Sequence, residues 1–276
     1  MSGPSWRRIE RGGLVYYAAE NFESTGLVRH GYSTRLGGVS GSPYESLNMG
    51  LLVGDDHASV LSNRRLFGTA LGISPERIIV PHQVHSDSVR VVDESHAGSG
   101  AMEQSTTIPD TDALISDIAN LPLALHFADC VSIFLLDPRH HAIGLVHAGW
   151  KGTALGVLAR AVQQMALSFQ SDPQSMLAAI GPSIGPCCYE VRRDVRDKLL
   201  ETFSADDRIL TGGVGDRWHA DLKLANLILL KRAGLQEPNI AVSTQCTSCH
   251  DLEFFSYRRD GNTGRMSAWL SLTPLS

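Results

Sequence analysis

The chain of 276 residues is 43% hydrophobic and 19% charged, enough for a large core in one domain or two closely fused ones. A net charge of −5, a sequence pI of about 6.1 and 7% aromatic residues disfavour a nucleic-acid scaffold, which needs basic clusters and base-stacking rings. No run reaches the ~18 apolar residues of a membrane span, and the N-terminal segment lacks the apolar stretch of a secretory signal. We therefore expect a cytoplasmic protein that binds neither nucleic acid nor membrane.

The N-terminal part of the chain predicts a strand followed by a long loop. Leu14–Ala19 is apolar and predicts a strand, although the first ~20 residues are expected to be peripheral. Val28–Gly54 is rich in Gly, Ser, Pro and Asn, which predicts a long ordered loop, and such loops are often functional. Arg35 and Asn48 are its polar site candidates, and the alternative is a solvated turn with an ordinary surface arginine.

A helix, two histidines and a polar segment are predicted next. Asp55–Asp56 precedes an apolar-periodic sequence that ends at Gly72, which predicts a helix with an aspartate cap. His82 and His85 are three residues apart, so on a regular strand they lie on opposite faces and at most one points into a given site. The alternative for each is a hydrogen-bonded core histidine. Asp93–Thr111 is polar and predicts a flexible excursion or lid.

The stretch Leu121–Thr153 is predicted to form the centre of the fold and of the site. Two apolar runs, LPLALHFADCVSIFLLD and AIGLVHAGW, flank the turn DPRHH, and such runs predict buried strands. Cys130 lies inside the first run and His147 near the end of the second, so neighbouring strands can bring thiol and imidazole together. Gly149–Gly152, which contains Lys151, follows where a strand gives way to a helix.

The C-terminal half alternates helices and strands. Apolar residues recur at +3 and +4 over Leu155–Phe169, which predicts an amphipathic helix with Met165 in its core stripe. Val191–Phe203 and Ala220–Ala233 predict two further helices, and NIAVST predicts a strand. Several strands adjoin by short turns, which predicts an α/β fold of the mixed α+β type: mixed β-sheets flanked by helices, in a single domain over residues 1–276.

His85, Cys130 and His147 form a candidate metal constellation. Thiolate and neutral imidazole are the preferred zinc ligands, and three protein ligands leave the fourth position of a catalytic zinc for water or substrate. Two alternatives use the same residues. Cys130 could be a nucleophile with His147 as base, oriented by Asp129 or another group, or the trio could hold copper. No methionine lies beside the trio in sequence as an axial copper ligand.

The other cysteines give a weaker pattern. Five cysteines are an odd number that does not suggest a disulfide framework, so we expect reduced thiols. Cys246–His250 spells CTSCH, the c-type haem attachment signature, but haem is rejected because the chain lacks an export signal and an obvious axial methionine. One CxxC supplies half a structural zinc site, which Cys187 and Cys188 would complete only by chance of folding. Adjacent cysteines seldom bridge each other, so free thiols are expected.

A phosphate site is the remaining pattern. Such a site needs cations beside glycine-opened backbone N–H donors, and Lys151, between Gly149 and Gly152 at a helix start, combines both. Arg258 and Arg259 cannot both face one site if they lie on a strand. The basic candidates are Arg35, Arg64, Lys151, Arg258, Arg259 and Arg265.

Several motifs together resemble the YfiH-like laccase-domain family. They are QVHS, FADCVSIFLLDP, GLVHAGWKGT, IGPSIGPCCYEV and FFSYRRDGNTGR, with STRLGGVS and SLNMG upstream. The resemblance implies a mixed α/β, cysteine-hydrolase-like fold, shared distantly with toxin cysteine deamidases. It also implies a zinc-dependent purine nucleoside phosphorylase acting on adenosine, inosine and methylthioadenosine, with adenosine deaminase activity. The family also carries the label multicopper polyphenol oxidase, and its bacterial members are linked to peptidoglycan editing.

The resemblance assigns metal ligands residue by residue. It implies His85 in QVHS, Cys130 in ADC and His147 in HAGW, with zinc as the metal and copper as the alternative. Two positions depart from the family pattern: Ser86 follows His85 where glycine is usual, and Cys249 is a second cysteine where the family often has none.

The resemblance also implies a substrate pocket. Arg35, Asn48 and Lys151 fall on motif positions lining the same pocket as the metal, and Lys151 or Arg35 would place phosphate beside the anomeric carbon. Asp129 or His82 would carry a proton during deamination. The expected partners are purine nucleosides and phosphate, bound by a monomer or homodimer.

Two other functions remain open. The first is an amidase that uses Cys130 and His147 on a peptidoglycan precursor. The second is a copper-dependent polyphenol oxidase, or laccase, which needs histidines in HxH pairs that this sequence lacks. A non-enzymatic binding module would leave the buried thiol and imidazoles unexplained.

Overall fold

The fold is built on three sheets, in a computed structural model that describes residues 3–204 and 207–275. The strands are β1 (Trp6–Arg11), β2 (Leu14–Ala19), β3 (Val28–Ser33), β4 (Val89–Val91), β5 (Ala113–Ser116), β6 (Leu123–Phe127), β7 (Val131–Asp137), β8 (Ala142–Ala148), β9 (Leu177–Ile180), β10 (Glu190–Val191), β11 (Leu210–Val214), β12 (Arg217–Ala220), β13 (Ile240–Val242) and β14 (Met266–Leu272). The helices are α1 (Glu20–Glu23), α2 (His57–Leu71), α3 (Trp150–Leu155), α4 (Val157–Phe169), α5 (Arg193–Leu200), α6 (Leu222–Arg232) and α7 (Tyr257–Asp260).

The sheets differ in strand direction. The five-stranded sheet has the order β1-β2-β3-β14-β6 and is antiparallel throughout. The six-stranded sheet, β13-β9-β7-β8-β5-β4, is antiparallel in the middle and parallel in its two outer pairs. A small antiparallel sheet has the order β10-β12-β11. The predicted mixed α/β fold is confirmed.

The two large sheets pack face to face, with helices outside. Residues of β7 alternate: Ile133 and Leu135 belong to the cluster that includes α4 and α6, while Phe134 and Leu136 pack towards the five-stranded sheet. On the outer face of that sheet, α2 packs against β2 and β3, and its Phe67 ring contacts Trp269 of β14. Because β7 is buried on both faces, its sequence is apolar except for Ser132 and Asp137 and shows no alternation of apolar and polar residues.

The first apolar run of the central stretch forms two strands, so the prediction of one strand is wrong. β6 belongs to the five-stranded sheet and β7 to the six-stranded sheet. Between them Asp129 has a positive φ of 92°, in the left-handed region that non-glycine residues seldom adopt. Cys130 therefore lies where the chain crosses from one sheet to the other, and hydrophobicity alone could not reveal this crossing.

The N-terminal prediction is partly wrong. Leu14–Ala19 is a strand as predicted, but all six residues are buried, so this strand is not peripheral. A further strand, β1, precedes it, and the Trp6 ring packs against Phe134 with a centroid distance of 5.5 Å. The predicted loop Val28–Gly54 begins with strand β3.

The helix predictions hold with one break. Asp56 caps α2 by accepting a hydrogen bond from the Ser59 amide, and Gly72 ends it with a φ of 67°. The predicted helix over Leu155–Phe169 is interrupted at Gly156, so α3 and α4 are separate. None of the described helices combines the length and the apolar character needed to cross a membrane.

The segment predicted as a flexible excursion is packed onto the body of the protein. Glu94–His96 and Gln104–Thr106 form short 3-10 turns within it. Ala101 and Ile108 are buried in the hydrophobic clusters. The segment therefore contributes to the core.

His30 is expected to make folding sensitive to acid. Its side chain is buried and its Nε2 accepts a 2.9 Å hydrogen bond from the Ala19 amide. Burial lowers the pKa of His30 to about 4 from 6.5. Between these two pH values the His30 side chain is protonated in the unfolded chain but neutral in the folded protein. The free energy of unfolding therefore decreases as the pH falls, by about 3 kcal/mol in total once the pH is below the folded-state pKa.

We expect the His30→Gln variant to lose less stability than the wild type between pH 6.5 and pH 4. Glutamine can accept the same hydrogen bond but does not titrate. The measurement is chemical denaturation at several pH values, with the slope of unfolding free energy against pH as the readout. Parallel curves for the two proteins would contradict the assignment.

Candidate metal centre and its cleft

Three predicted side chains converge at one point. The possible ligand atoms of His85, Cys130 and His147 all lie within 4.8 Å of one another. Cys130 Sγ is 3.8 Å from His85 Nε2, and the two imidazole rings have a centroid distance of 4.8 Å. Two imidazole nitrogens and one thiolate at this spacing suit a divalent metal such as zinc.

Neighbouring strands position two of the three ligands. Cys130 immediately precedes β7, and His147 in β8 pairs with Ser132. His85 lies outside any strand, on a turn with a φ of 60°. His82 is exposed and contacts Asp110. Only one of the two predicted histidines therefore faces the centre, although neither lies on a regular strand.

Asp112 is the residue that holds the centre together, and the sequence analysis missed it. Its buried carboxylate accepts from His147 Nδ1 at 2.8 Å, which leaves Nε2 of that ring as the ligand atom. It also accepts from the His85 amide at 3.0 Å and from the Ser86 amide at 2.7 Å. One carboxylate therefore orients one imidazole and fixes the turn that carries the other.

The charges at the centre favour a deprotonated thiol. Burial opposes ionisation of Cys130, but the charge of His147, the hydrogen bonds from His147 and His85 and the charge of His85 together outweigh burial and lower the pKa of the thiol to about 6. Burial also disfavours the charged form of His147, yet Cys130 and Asp112 together raise the pKa of its imidazole to about 9. For Asp112, burial raises the pKa of the carboxyl, but the hydrogen bond and charge of His147 and the hydrogen bonds from Ser86 together outweigh burial and lower this pKa to about 2. A thiolate ready for metal binding results.

Gly149 is required for the close approach of the ligands. A Cβ atom at this position would lie 2.9 Å from His85 Cδ2 and 3.0 Å from Cys130 Sγ. This packing explains the glycine that follows His147 and Ala148 in the sequence. The glycine makes room for ligands, which differs from the phosphate-cradle role predicted for it.

The centre opens into a cleft of about 490 Å³, a size typical of small-molecule sites. A second cleft of about 270 Å³ lies next to it, and His85, Ala128, Cys130 and Tyr257 line both. The larger cleft is lined by Gly50, Leu51, Leu52, Val53, Val80, Pro81, Gln83, His85, Gln104, His126, Ala128, Cys130, His147, Tyr257 and Arg265.

Arg265 supplies the guanidinium in the larger cleft. Its backbone amide donates to Asn48 Oδ1 at 2.9 Å, and its Nη1 donates to the carbonyls of Thr263 and Gly264. Among the described residues, its Nε and Nη2 have no hydrogen-bond acceptor. Burial lowers the pKa of this guanidinium, and arginine side chains stay protonated in proteins.

The predicted pocket residues Arg35, Asn48 and Lys151 do not line this cleft. Arg35 donates to the carbonyls of Glu45 and Asp251 and lines a separate surface pocket. Asn48 is buried, and its Oδ1 accepts a hydrogen bond from the Arg265 amide, so it helps to position Arg265. Lys151 is exposed on the first turn of α3. Motif membership placed these residues near the site but could not show where their side chains point.

The Asp129 carboxylate is engaged in three hydrogen bonds with protein donors. Its carboxylate accepts from Thr247 Oγ1 at 2.6 Å, from Ser256 Oγ at 3.0 Å and from the Arg258 amide at 2.7 Å. Asp129 therefore does not orient His147, and Asp112 is the other group that this alternative allowed. Its carboxylate instead fixes the segments that follow β13 and begin α7.

His126 and Gln83 were also missed by the sequence analysis. The Nε2 atom of His126 accepts from Arg64 at 3.0 Å, and burial followed by the charges of Arg64 and Arg265 lowers the pKa of His126 well below its usual range. Gln83 exchanges two hydrogen bonds with the His126 backbone. Both residues therefore form a neutral, fixed wall of the cleft. Arg64, among the apolar residues of α2, is the sequence signal that could have indicated a buried neutral acceptor such as His126.

The sequence and the fold of this chain are similar to those of known proteins. A family model described as "Multi-copper polyphenol oxidoreductase laccase" matches residues 29–273. "Purine nucleoside phosphorylase YlmD" of Geobacillus stearothermophilus is 42% identical over 242 residues, covering 87% of this chain and 88% of that protein. "Adenosine deaminase RL5" from an unknown prokaryotic organism is 34% identical over 237 residues, covering 85% and 90%. The crystal structure of the hypothetical protein YfiH of Bacillus licheniformis superposes with a TM-score of 0.91 at 37% identity, covering 97% and 99%.

We expect the Asp112→Asn variant to bind Zn²⁺ roughly 10- to 100-fold more weakly than the wild type, because the His147 ring loses its anionic anchor. Zinc competition against a chromophoric chelator measures this change, with circular dichroism to verify folding. Asp110→Asn is the matched control, because Asp110 is exposed and contacts His82 rather than a ligand. Equal affinities for the two variants would contradict the role of Asp112.

Proposed function

The chain belongs to the multi-copper polyphenol oxidoreductase laccase family, and from this premise we propose that it is a zinc-dependent purine nucleoside phosphorylase. The proposed substrates are adenosine, inosine and methylthioadenosine, with deamination of adenosine as a second activity. The names of its relatives support this reaction class. The observation that carries the proposal is the His85, Cys130 and His147 trio at the base of a cleft that contains a guanidinium.

The donor set fits zinc. Two imidazoles and a thiolate with a carboxylate behind one imidazole are the arrangement of zinc sites that keep one position open. When bound, zinc supplies a Lewis acid and lowers the pKa of a coordinated water to ~7. The same donors also accept copper, which therefore stays the alternative metal.

In phosphorolysis, a phosphate oxygen forms a bond to the anomeric carbon while the bond to the purine nitrogen breaks. The electron pair of the broken bond leaves with the purine, which takes up a proton. Arg265 would hold the phosphate dianion beside the anomeric carbon, where a cation-like sugar develops. The partly buried position of Arg265 strengthens this interaction, since less water competes for the charge.

Asp129 and His82 need a different assignment from the proton carriers that the sequence suggested. Three protein donors occupy the Asp129 carboxylate, and His82 is exposed outside the cleft lining. We assign Asp129 a positioning role, because it fixes the segment that carries Tyr257 into both clefts. In deamination, water replaces the purine amino group and ammonia is released.

A second candidate is the amidase on a peptidoglycan precursor. The specific observation in its favour is the alignment of Cys130, His147 and Asp112, the order of a nucleophile, its base and an orienting carboxylate. The Cys130 thiolate would attack the amide carbonyl, and His147 would donate a proton to the leaving amine. Such an enzyme is active without metal, which distinguishes it from the first proposal.

A laccase-type reaction has less support. It needs several histidines grouped around more than one copper ion. Among the described residues, the other group of converging metal-binding side chains consists of cysteines alone. The family description is therefore not a guide to the chemistry proposed for this chain.

Incubating the zinc-loaded protein with adenosine and phosphate tests the proposal. We expect ribose 1-phosphate with adenine, and inosine with ammonia, with both activities lost after chelation and reduced at least about 100-fold in His85→Ala. Activity on a peptidoglycan precursor that survives chelation but is lost on alkylation of Cys130 would favour the amidase. Absence of ribose 1-phosphate and of inosine from the zinc-loaded protein would contradict the proposal.

We expect the KM for phosphate to be about 10- to 100-fold higher in the Arg265→Gln variant, because a charge-assisted hydrogen bond is lost. The KM for nucleoside should change little. Initial rates at varied phosphate concentration measure the effect. Lys151→Ala is the matched control and is expected to behave as wild type, since Lys151 lies outside the cleft lining. A raised phosphate KM in Lys151→Ala but not in Arg265→Gln would contradict the assignment.

A further inference from the structure

A second cluster of metal-binding side chains lies outside the cleft just described. The Sγ atoms of Cys187, Cys188, Cys246 and Cys249 all lie within 4.8 Å of one another. The sequence predicted free thiols, because the chain has a single CxxC and Cys187 and Cys188 could complete a set only by chance of folding. All five cysteines are free of disulfides in the structure, as expected, and the four of this cluster converge at one point.

The sheet explains how these distant segments meet. β9 and β13 are parallel neighbours, with Ile180 paired to Val242, so the chain leaves both strands at the same end of the sheet. The pairing continues beyond the strands, where the Thr247 amide donates to the Ser183 carbonyl at 3.1 Å. The turn after β9 carries Cys187 and Cys188, and the turn after β13 carries the CxxC pair.

The distances fit a shared metal ion. Cys249 Sγ lies 3.5 Å from Cys187 Sγ and 3.4 Å from Cys188 Sγ. A disulfide would need sulfurs at about 2.05 Å. Four thiolates around zinc, with Zn–S bonds of about 2.3 Å in a tetrahedron, place their sulfurs about 3.8 Å apart. The observed spacing therefore matches four ligands of one ion, after small side-chain adjustments.

The surroundings of the cluster suit thiolates. The Gly185 amide donates to Cys246 Sγ at 3.1 Å, and a Cβ at Gly185 would lie 3.3 Å from Cys187 Sγ, so glycine permits this approach. The Lys223 side chain is buried, and its Nζ donates at 2.8 Å to the carbonyl of Gln245, the residue directly before Cys246. Four thiolates around a divalent ion carry net negative charge, which this ammonium partly offsets.

We propose that Cys187, Cys188, Cys246 and Cys249 bind a structural zinc ion. All four positions of the ion are filled by sulfur, so no position remains for a substrate, and the site is structural. Binding replaces thiol protons with zinc and involves no oxidation or reduction. This second site is independent of the proposed enzymatic activity.

The site would connect two segments that support the smaller cleft. Tyr189, directly after the first cysteine pair, lines that cleft. Thr247, inside the CxxC, donates to Asp129, and Arg259 donates to the carbonyls of Thr247 and Ser248. A metal ion at this point would hold these contacts together beside the candidate active centre.

Cobalt substitution in the Cys130→Ser background tests the proposal without relying on activity. Because this variant lacks the thiolate of the candidate active centre, any thiolate-to-cobalt charge-transfer band must arise from the four cysteines. We expect a strong band with the ligand-field pattern of a four-sulfur tetrahedral site. The band should be lost when Cys246→Ser and Cys249→Ser are added and should persist with the matched control Ser248→Ala.

Metal analysis provides the second measurement. We expect about two zinc ions per wild-type chain. About one zinc ion should remain in the Cys246→Ser, Cys249→Ser double variant, and about one in the His85→Ala variant. Absence of a charge-transfer band in the Cys130→Ser protein would overturn the proposal. So would a disulfide, detected as fewer than five free thiols in the unfolded wild-type protein isolated without reductant. If the double serine variant does not fold, the cobalt titration of Cys130→Ser alone decides.

Discussion

The candidate active centre depends on one buried carboxylate. Asp112 accepts hydrogen bonds from the His147 imidazole and from the amides of His85 and Ser86. A buried carboxylate without such partners would cost several kcal/mol, so the turn, the ring and the charge stabilise one another. This arrangement holds both imidazoles in place before a metal arrives, which lowers the entropy lost on binding.

The second constraint is the crossing of the chain between two sheets. β6 and β7 follow each other in sequence but belong to different sheets, and Cys130 lies at the end of this crossing. Cys130, at the end of this crossing, lines both clefts. The site is therefore built on strands that also form the core, which gives it a rigid base.

The sequence predicted the mixed fold and the convergence of His85, Cys130 and His147, because apolar runs and motif resemblance locate buried strands and their ends. It did not predict Asp112, whose role depends on a contact 35 residues away from His147. It assigned Arg35 and Lys151 to the pocket although Arg265 lines it, since side-chain direction is set by packing. The four-cysteine cluster was also missed, because it requires knowing that β9 and β13 are neighbours.

Anomalous diffraction at the zinc absorption edge, from crystals of the zinc-loaded protein, tests the central claim most directly. We expect a peak about 2.0–2.3 Å from His85 Nε2, His147 Nε2 and Cys130 Sγ, with Asp112 still bonded to His147 Nδ1. A map without a peak there, or with the His147 ring turned so that Nε2 faces Asp112, would contradict it.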